Sequence, residues 1–188
     1  MMKVVIMGIR GSYSHEAARS MLGNSIELLE CRDFESVFDT ARESGELAVV
    51  PVRNSIAGPI EMPSHLLAAS GFEVYDEIVL PIEHVLAAVR GTVFSELDTV
   101  VSHPEALKQC RKFLSANANL STKHAPDTAT AVRDVAVSGN PRVAAIGSGR
   151  AVEMYDAVLL RENIADTADN RTTFYLVGND PNRSKKYA

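Results

Sequence analysis

Short runs rich in Val, Ile and Leu alternate along this chain with stretches of helical periodicity, and that alternation constrains the fold more than any other feature. The runs Lys3–Met7, Ile26–Glu30, Leu47–Val52, Asp98–Val101, Ser121–His124, Arg142–Ile146 and Thr173–Val177 read as strands. Most are too uniformly apolar to keep one face wet, which predicts sheets covered on both sides. Between them, Ser14–Leu22, Phe34–Arg42, Ile60–Ala69, Pro104–Leu114, Thr128–Val137 and Gly149–Met154 read as helices, with Ser14, Asp33, His103 or Ser102, and Asp127 placed as caps. That order gives repeated β-α-β units and parallel pairing. No internal sequence repeat is visible.

The stretch Phe72–Val89 breaks the rhythm. It is long, extended in character and interrupted by Pro81, as expected of a crossover between two lobes. The domain reading that follows is residues 1–80 plus 165–180 for one lobe and 81–164 for the other. The polar tail 181–188 is expected to fray. A chain of 188 residues is long enough for two such lobes, each with a core.

Charge and composition exclude several function classes. With a formal net charge of −5 and no Lys/Arg run, neither nucleic acid nor an anionic membrane is expected as a partner. The opening Met1–Gly8 is too short an apolar run for a secretion signal, and no stretch approaches the roughly 20 apolar residues that cross a bilayer. The two cysteines, Cys31 and Cys110, form no CxxC or Cys/His cluster, and His15, His65 and His84 lack metal-ligand spacing. A cytoplasmic protein with no metal and no cofactor is the expectation.

Four polar segments stand where strands end or begin. Gly8-Ile9-Arg10-Gly11-Ser12-Tyr13-Ser14-His15 lies between a strand and a helix, a position that suits either a small carboxylate or a capped tight turn, and it is neither GxGxxG nor a P-loop. Arg53, Asn54 and Ser55 end an apolar strand, where ligands of open α/β sheets collect. In Ser102-His103-Pro104-Glu105 the favoured role of His103 is a helix cap, as it is for Asp127. Asp169-Asn170-Arg171-Thr172-Thr173-Phe174 leads into the last strand.

Taken in order, these segments resemble the catalytic domain of prephenate dehydratase, over Val4 to about Val177. The resemblance rests on Gly11-Ser12-Tyr13-Ser14-His15-Glu16-Ala17-Ala18, on Val50-Pro51-Val52 with Asn54-Ser55 and Gly58, and on Ser102-His103-Pro104-Glu105-Ala106-Leu107-Lys108-Gln109-Cys110. It also rests on Asp127-Thr128-Ala129, on Ala144-Ala145-Ile146-Gly147-Ser148, and on Asn170, Thr172 and Phe174. It implies a two-lobed α/β fold like type 2 periplasmic binding proteins, with mostly parallel sheets flanked by helices and a central cleft. A homodimer is implied too, with prephenate or a close analogue as the small-molecule substrate. A regulatory ACT domain usually follows in the family; this sequence ends before one could begin, so feedback inhibition by phenylalanine is not expected.

The family's Asn-x-Thr-Arg-Phe motif assigns the catalytic threonine to Thr172. The resemblance implies Ser12, Arg53, Asn54, Ser55, Asn170, Thr173 and Phe174 as substrate-binding positions. Two departures stand out: the arginine usual after that threonine is Thr173, and the glutamate usual before Asn-Ser is Arg53. One hypothesis has Arg53 replace the missing arginine from the opposite wall. The expected reaction is decarboxylation and dehydration of prephenate to phenylpyruvate. A non-aromatising prephenate decarboxylase and a non-catalytic ligand-binding module are the alternatives.

Overall fold

A computed structural model describes residues 1–179; the expectation for the tail 181–188 lies outside them. The described residues divide into two compact units, one built from Met1–Ile9, Tyr13–Ile82 and 169–179, the other from Arg10–Ser12 and Glu83–Ala168. The crossings fall at 82/83 and 168/169 because hydrogen bonds hold the flanking backbone on its own side. Ile82 N donates to Asn170 O in the first unit, while Ile164 N and Asp166 N donate to His84 O and Gln109 O in the second.

In the first unit, β1 (Met2–Met7), α1 (Tyr13–Leu22), β2 (Ile26–Cys31), α2 (Phe34–Ser44) and β3 (Leu47–Asn54) form two β-α-β turns. A two-residue β4 (Gly58–Pro59), α3 (Glu61–Ser70) and β5 (Glu73–Pro81) follow. The sheet order is β2-β1-β3-β11-β5, where β11 (Arg171–Gly178) returns after the second crossing. The expected parallel pairing holds for β1 with β2 and β3. It gives way to antiparallel pairing where β11 inserts between β3 and β5, because the returning strand enters from the end at which β3 leaves. The sheets are therefore mixed.

Alternation on these strands builds two cores. Val4, Ile6, Val49, Tyr75, Leu80, Phe174 and Leu176 pack on one face against Ala17 and Ala18 of α1. Val5, Ala48, Val50 and Val177 pack on the other against Val37, Phe38 and Ala41 of α2, with Leu66 and Leu67 of α3 beside them. Asp33 caps α2 by accepting from Ser36 N at 2.8 Å, and Gly45 closes it in the left-handed conformation (φ 72°) that glycine adopts without strain.

The second unit repeats the scheme. It contains β6 (Val85–Ala88), β7 (Thr99–Ser102), α4 (Pro104–Gln109), α5 (Arg111–Ala116) and β8 (Ser121–His124). Then come α6 (Thr128–Ser138), β9 (Val143–Gly147), α7 (Gly149–Met154) and β10 (Val158–Arg161). The order is β10-β6-β9-β7-β8, with β7 parallel to β8 and β9 and β6 antiparallel to β9 and β10. Both sheets thus run second, first and third strand of a β-α-β-α-β unit, followed by two antiparallel strands. Together they give the α/β, two-lobed, type 2 periplasmic-binding-protein-like class.

The single helix expected over Pro104–Leu114 is two, broken at Cys110 (φ −114°, ψ 27°), which ends α4 and begins α5. The strand β10 has no counterpart among the expected elements. At Gly147 an added Cβ would collide with a Val132 methyl and lie 3.1 Å from Thr128 O, so glycine there lets α6 approach β9. Among the described residues, no helix is long and apolar enough to cross a membrane.

Candidate functional site

In the first unit the end of β3 lies beside the start of β11, with Asn54 opposite Thr172 and Arg53 opposite Thr173. This register gathers buried Asn54, Asn170 and Thr172 into one polar cluster with exposed Ser55 at its edge. Asn170 is 1% exposed, Thr172 6% and Asn54 7%. Groups buried this deeply need partners, and the cluster supplies them internally.

Asn54 is its hub. Nδ2 donates to Asn170 Oδ1 (2.8 Å), Thr172 Oγ1 (2.9 Å) and Arg171 O (3.1 Å), so three acceptors share two hydrogens. Oδ1 accepts from Ile56 N (3.0 Å) and Ala57 N (2.9 Å), folding the chain after β3 into a turn. Both of those partners can only donate, which fixes the end of the amide that carries oxygen. Ser55 clasps the incoming strand: its N donates to Arg171 O, its Oγ accepts from Arg171 N at 2.9 Å, and that Oγ donates to Asp169 O at 3.1 Å.

Asn54 and Ser55, expected as substrate contacts, are thus engaged by the protein itself. They hold the start of β11 and, through Nδ2, the hydroxyl of Thr172. Thr172 Oγ1 accepts from Asn54, and among the described residues its own proton has no acceptor. The cluster therefore offers one uncommitted donor, with its oxygen already fixed from the other side.

Period-2 alternation sends Thr172, Phe174 and Leu176 to the α1 face of the sheet and Thr173 and Tyr175 to the other. Phe174, expected to touch substrate, is 3% exposed within the α1-side core and anchors the strand instead. Between Thr173 and Phe174 the register slips, Phe174 pairing with Pro51 and Thr173 with Arg53, so β3 bulges at Val52. That bulge places exposed Arg53 beside half-buried Thr173, on the face away from Thr172. Arg53 does not stand on a wall opposite Thr173. The two are direct neighbours because β11 pairs with β3.

Ser12 belongs to the Arg10–Ser12 turn of the second unit and is buried. The turn is gripped there by α7 and its cap: Ser148 Oγ donates to Gly11 O (3.2 Å) and Tyr155 Oη to Arg10 O (2.6 Å). Gly11 has φ +85°, and an added Cβ would sit 3.2 Å from Ala151 Cα. Ser148, part of the resemblance but given no role from the sequence, also accepts from Ala151 N as the cap of α7; its signal was a serine just ahead of a helical stretch and just after an apolar strand. His103 and Asp127 cap α4 and α6 as expected.

His84 and Gln109 were also passed over as a pair, since nothing in a separation of 25 residues links them. His84 is 2% exposed, and its Nε2 lies 2.8 Å from Gln109 Oε1. An amide oxygen can only accept, so Nε2 carries the proton, and the buried Nδ1 has no partner among the described residues. Burial holds the His84 pKa below its ordinary 6.5, with the bond to Gln109 pulling weakly the other way. Burial also raises the Cys110 thiol to about 12, leaving it un-ionised at neutral pH. No group of three or more metal-ligating side chains occurs among the described residues.

Two α/β units of this topology, with an Asn-held threonine where β3 meets β11, define a class of two-unit α/β proteins. Within it, the family model for prephenate dehydratase matches residues 4–182, and the chain belongs to that family. Arogenate dehydratase/prephenate dehydratase 1, chloroplastic, of Arabidopsis thaliana is 36% identical over 180 residues, covering 95% of this chain and 45% of the relative. A solved prephenate dehydratase from Arthrobacter aurescens in complex with L-Phe superposes with a TM-score of 0.85 at 23% identity, over 95% of this chain and 61% of that one. A structure described as GqqA, a novel type of quorum quenching acylase, gives 0.82 at 27% identity, over 95% and 64%. The chain spans about half the length of the curated relatives it matches.

Proposed function

We propose that this chain carries out the dehydratase reaction, converting prephenate to phenylpyruvate, carbon dioxide and water. The observation that carries this reading is the uncommitted proton of Thr172, on an oxygen held by Asn54. In the reaction the bond from the ring to its carboxylate breaks and carbon dioxide leaves. The freed electron pair enters the ring, and the ring C–O bond breaks on the far side to complete aromatisation. Hydroxide departs and is completed to water by a proton drawn ultimately from solvent.

Threonine is too weak an acid to be ionised at neutral pH, so its contribution is a hydrogen bond aimed at the departing oxygen. That bond strengthens as negative charge grows there, which lowers the barrier without tightening the ground state. Fixing the acceptor side of Thr172 through Asn54 removes the rotational search for this geometry. The same ring chemistry applies to arogenate, which names several of the relatives.

Hydrolysis of an acyl bond, the activity in the description of GqqA, would need Thr172 or Ser55 activated by a base. Among the described residues, neither hydroxyl is hydrogen-bonded to an imidazole or a carboxylate. A non-aromatising decarboxylase would keep the ring hydroxyl and have no use for a donor aimed at it. The test is to incubate the protein with prephenate and follow the ring protons by NMR. Aromatic signals are expected. Ring alkene signals that survive loss of carbon dioxide, or unchanged substrate, would overturn the reading.

A further inference from the structure

Arg53 is a cation with no counter-charge beside the Thr172 cluster. It has two cross-strand neighbours, Thr173 on β11 and Pro59 on β4, and both are uncharged. Among the described residues Arg53 makes no ion pair or hydrogen bond. The nearby carboxylate of Asp169 is taken up by Arg171 at 2.7 Å. Arg53 nevertheless directly precedes Asn54, the residue that holds Thr172.

The register gives this cation a further meaning. Arg53 and Thr173 occupy directly paired positions, where opposite charges would neutralise each other. Here the pair is Arg53 and Thr173, so this end of the sheet is one unit more positive than the neutral pair would make it. A lone charge acts on ligands by its sign, attracting anions and repelling cations.

We propose that Arg53 sets the choice of side chain on the substrate, favouring the keto acid over the amino acid. This rests on the dehydratase reading. Prephenate carries two carboxylates and an uncharged keto group. Arogenate has the same ring and carboxylates but bears an ammonium group in place of the ketone. A substrate held at Thr172 brings that ammonium into the field of Arg53, which discriminates by repulsion rather than by an added contact. Across roughly 10 Å of solvent-like surroundings one unit charge changes affinity about twofold.

The experiment is the ratio of kcat/KM for prephenate over arogenate in the wild type, Arg53→Gln, Arg53→Glu and the double variant Arg53→Glu/Thr173→Arg. Because both substrates are read on one preparation, the ratio is independent of the fraction folded. Relative to the wild type, it should fall about twofold in Arg53→Gln and about fourfold in Arg53→Glu, returning to the Arg53→Gln value in the double variant. High salt should compress the series, since the group is solvent-accessible. A ratio in Arg53→Glu within twofold of the wild type, or shifted towards prephenate, overturns the proposal. If the wild type converts neither compound, the dehydratase reading falls, and calorimetric affinities for the two compounds decide the proposal by the same order. Binding of neither overturns both.

Discussion

The two sheets share one topology, yet the same junction in each is built from different chemistry. Where the third strand of the β-α-β-α-β unit meets its antiparallel neighbour, the first unit sets Asn54 against Thr172 and the second sets Gly147 against Val85. Next to the first junction is a polar cluster in which the Thr172 proton has no acceptor among the described residues. Next to the second is His84, whose Nδ1 is a buried acceptor without a partner among the described residues. One junction leaves over a donor, the other an acceptor. A spare donor suits an oxygen that gains negative charge, whereas a spare buried acceptor costs stability.

Removing the spare donor should have the largest effect. Thr172→Ala is expected to lower kcat for aromatic product by about 100- to 1000-fold, the usual cost of losing a hydrogen bond made to charge in the transition state. KM should stay within a few-fold. Asn54 keeps Asn170 Oδ1 and Arg171 O as acceptors, so the stability loss should be about 1 kcal/mol. Thr172→Ser should recover most of the rate. Ultraviolet detection of the aromatic product with a thermal melt reads both quantities, and an unchanged kcat in Thr172→Ala would remove the donor from the mechanism.

Asn54→Asp tests the hub itself. A carboxylate at this position still accepts from Ile56 N and Ala57 N, so the turn survives. It offers no hydrogen to Thr172, whose own proton then turns towards the new carboxylate. We expect kcat to drop about 10- to 100-fold with KM little changed, the signature of a misdirected donor. A rise in KM at constant kcat would instead make Asn54 a substrate contact.

Much of this was legible in the residues, for reasons that also mark where legibility ends. The bounds of β8 and α7 follow from runs and caps that local chemistry dictates. The break at Cys110 carries no glycine or proline and is set by tertiary packing. The shared topology leaves no sequence repeat, because a buried strand asks only for apolar residues of suitable size. Asn54 and Thr172 were identifiable as a pair of motifs, but their hydrogen bond depends on β11 returning beside β3 across 118 residues. Alternation alone separates Thr172 from Thr173. The bulge at Val52, which decides the neighbour of Arg53, has no local signal in Pro51-Val52-Arg53.

The spare acceptor gives the smallest effect and a distinct pH dependence. Burial lowers the His84 pKa in the folded state, so between that value and its ordinary 6.5 the unfolded chain binds more protons than the folded one. Stability should therefore be independent of this group above pH 6.5 and decline as the pH falls below it. His103, also lowered by burial, acts in the same window, so wild-type melts alone would mix the two. Subtracting the curve of His84→Gln isolates the term: the variant keeps an amide donor for Gln109 and loses the titration. Thermal melts from pH 8 to pH 5 should show a constant gap at the alkaline end that shifts in favour of the variant with acid. Parallel curves would mean that His84 takes up its proton in the folded protein as readily as in the unfolded chain, and the contrast between the two junctions would then vanish on the side of the second unit.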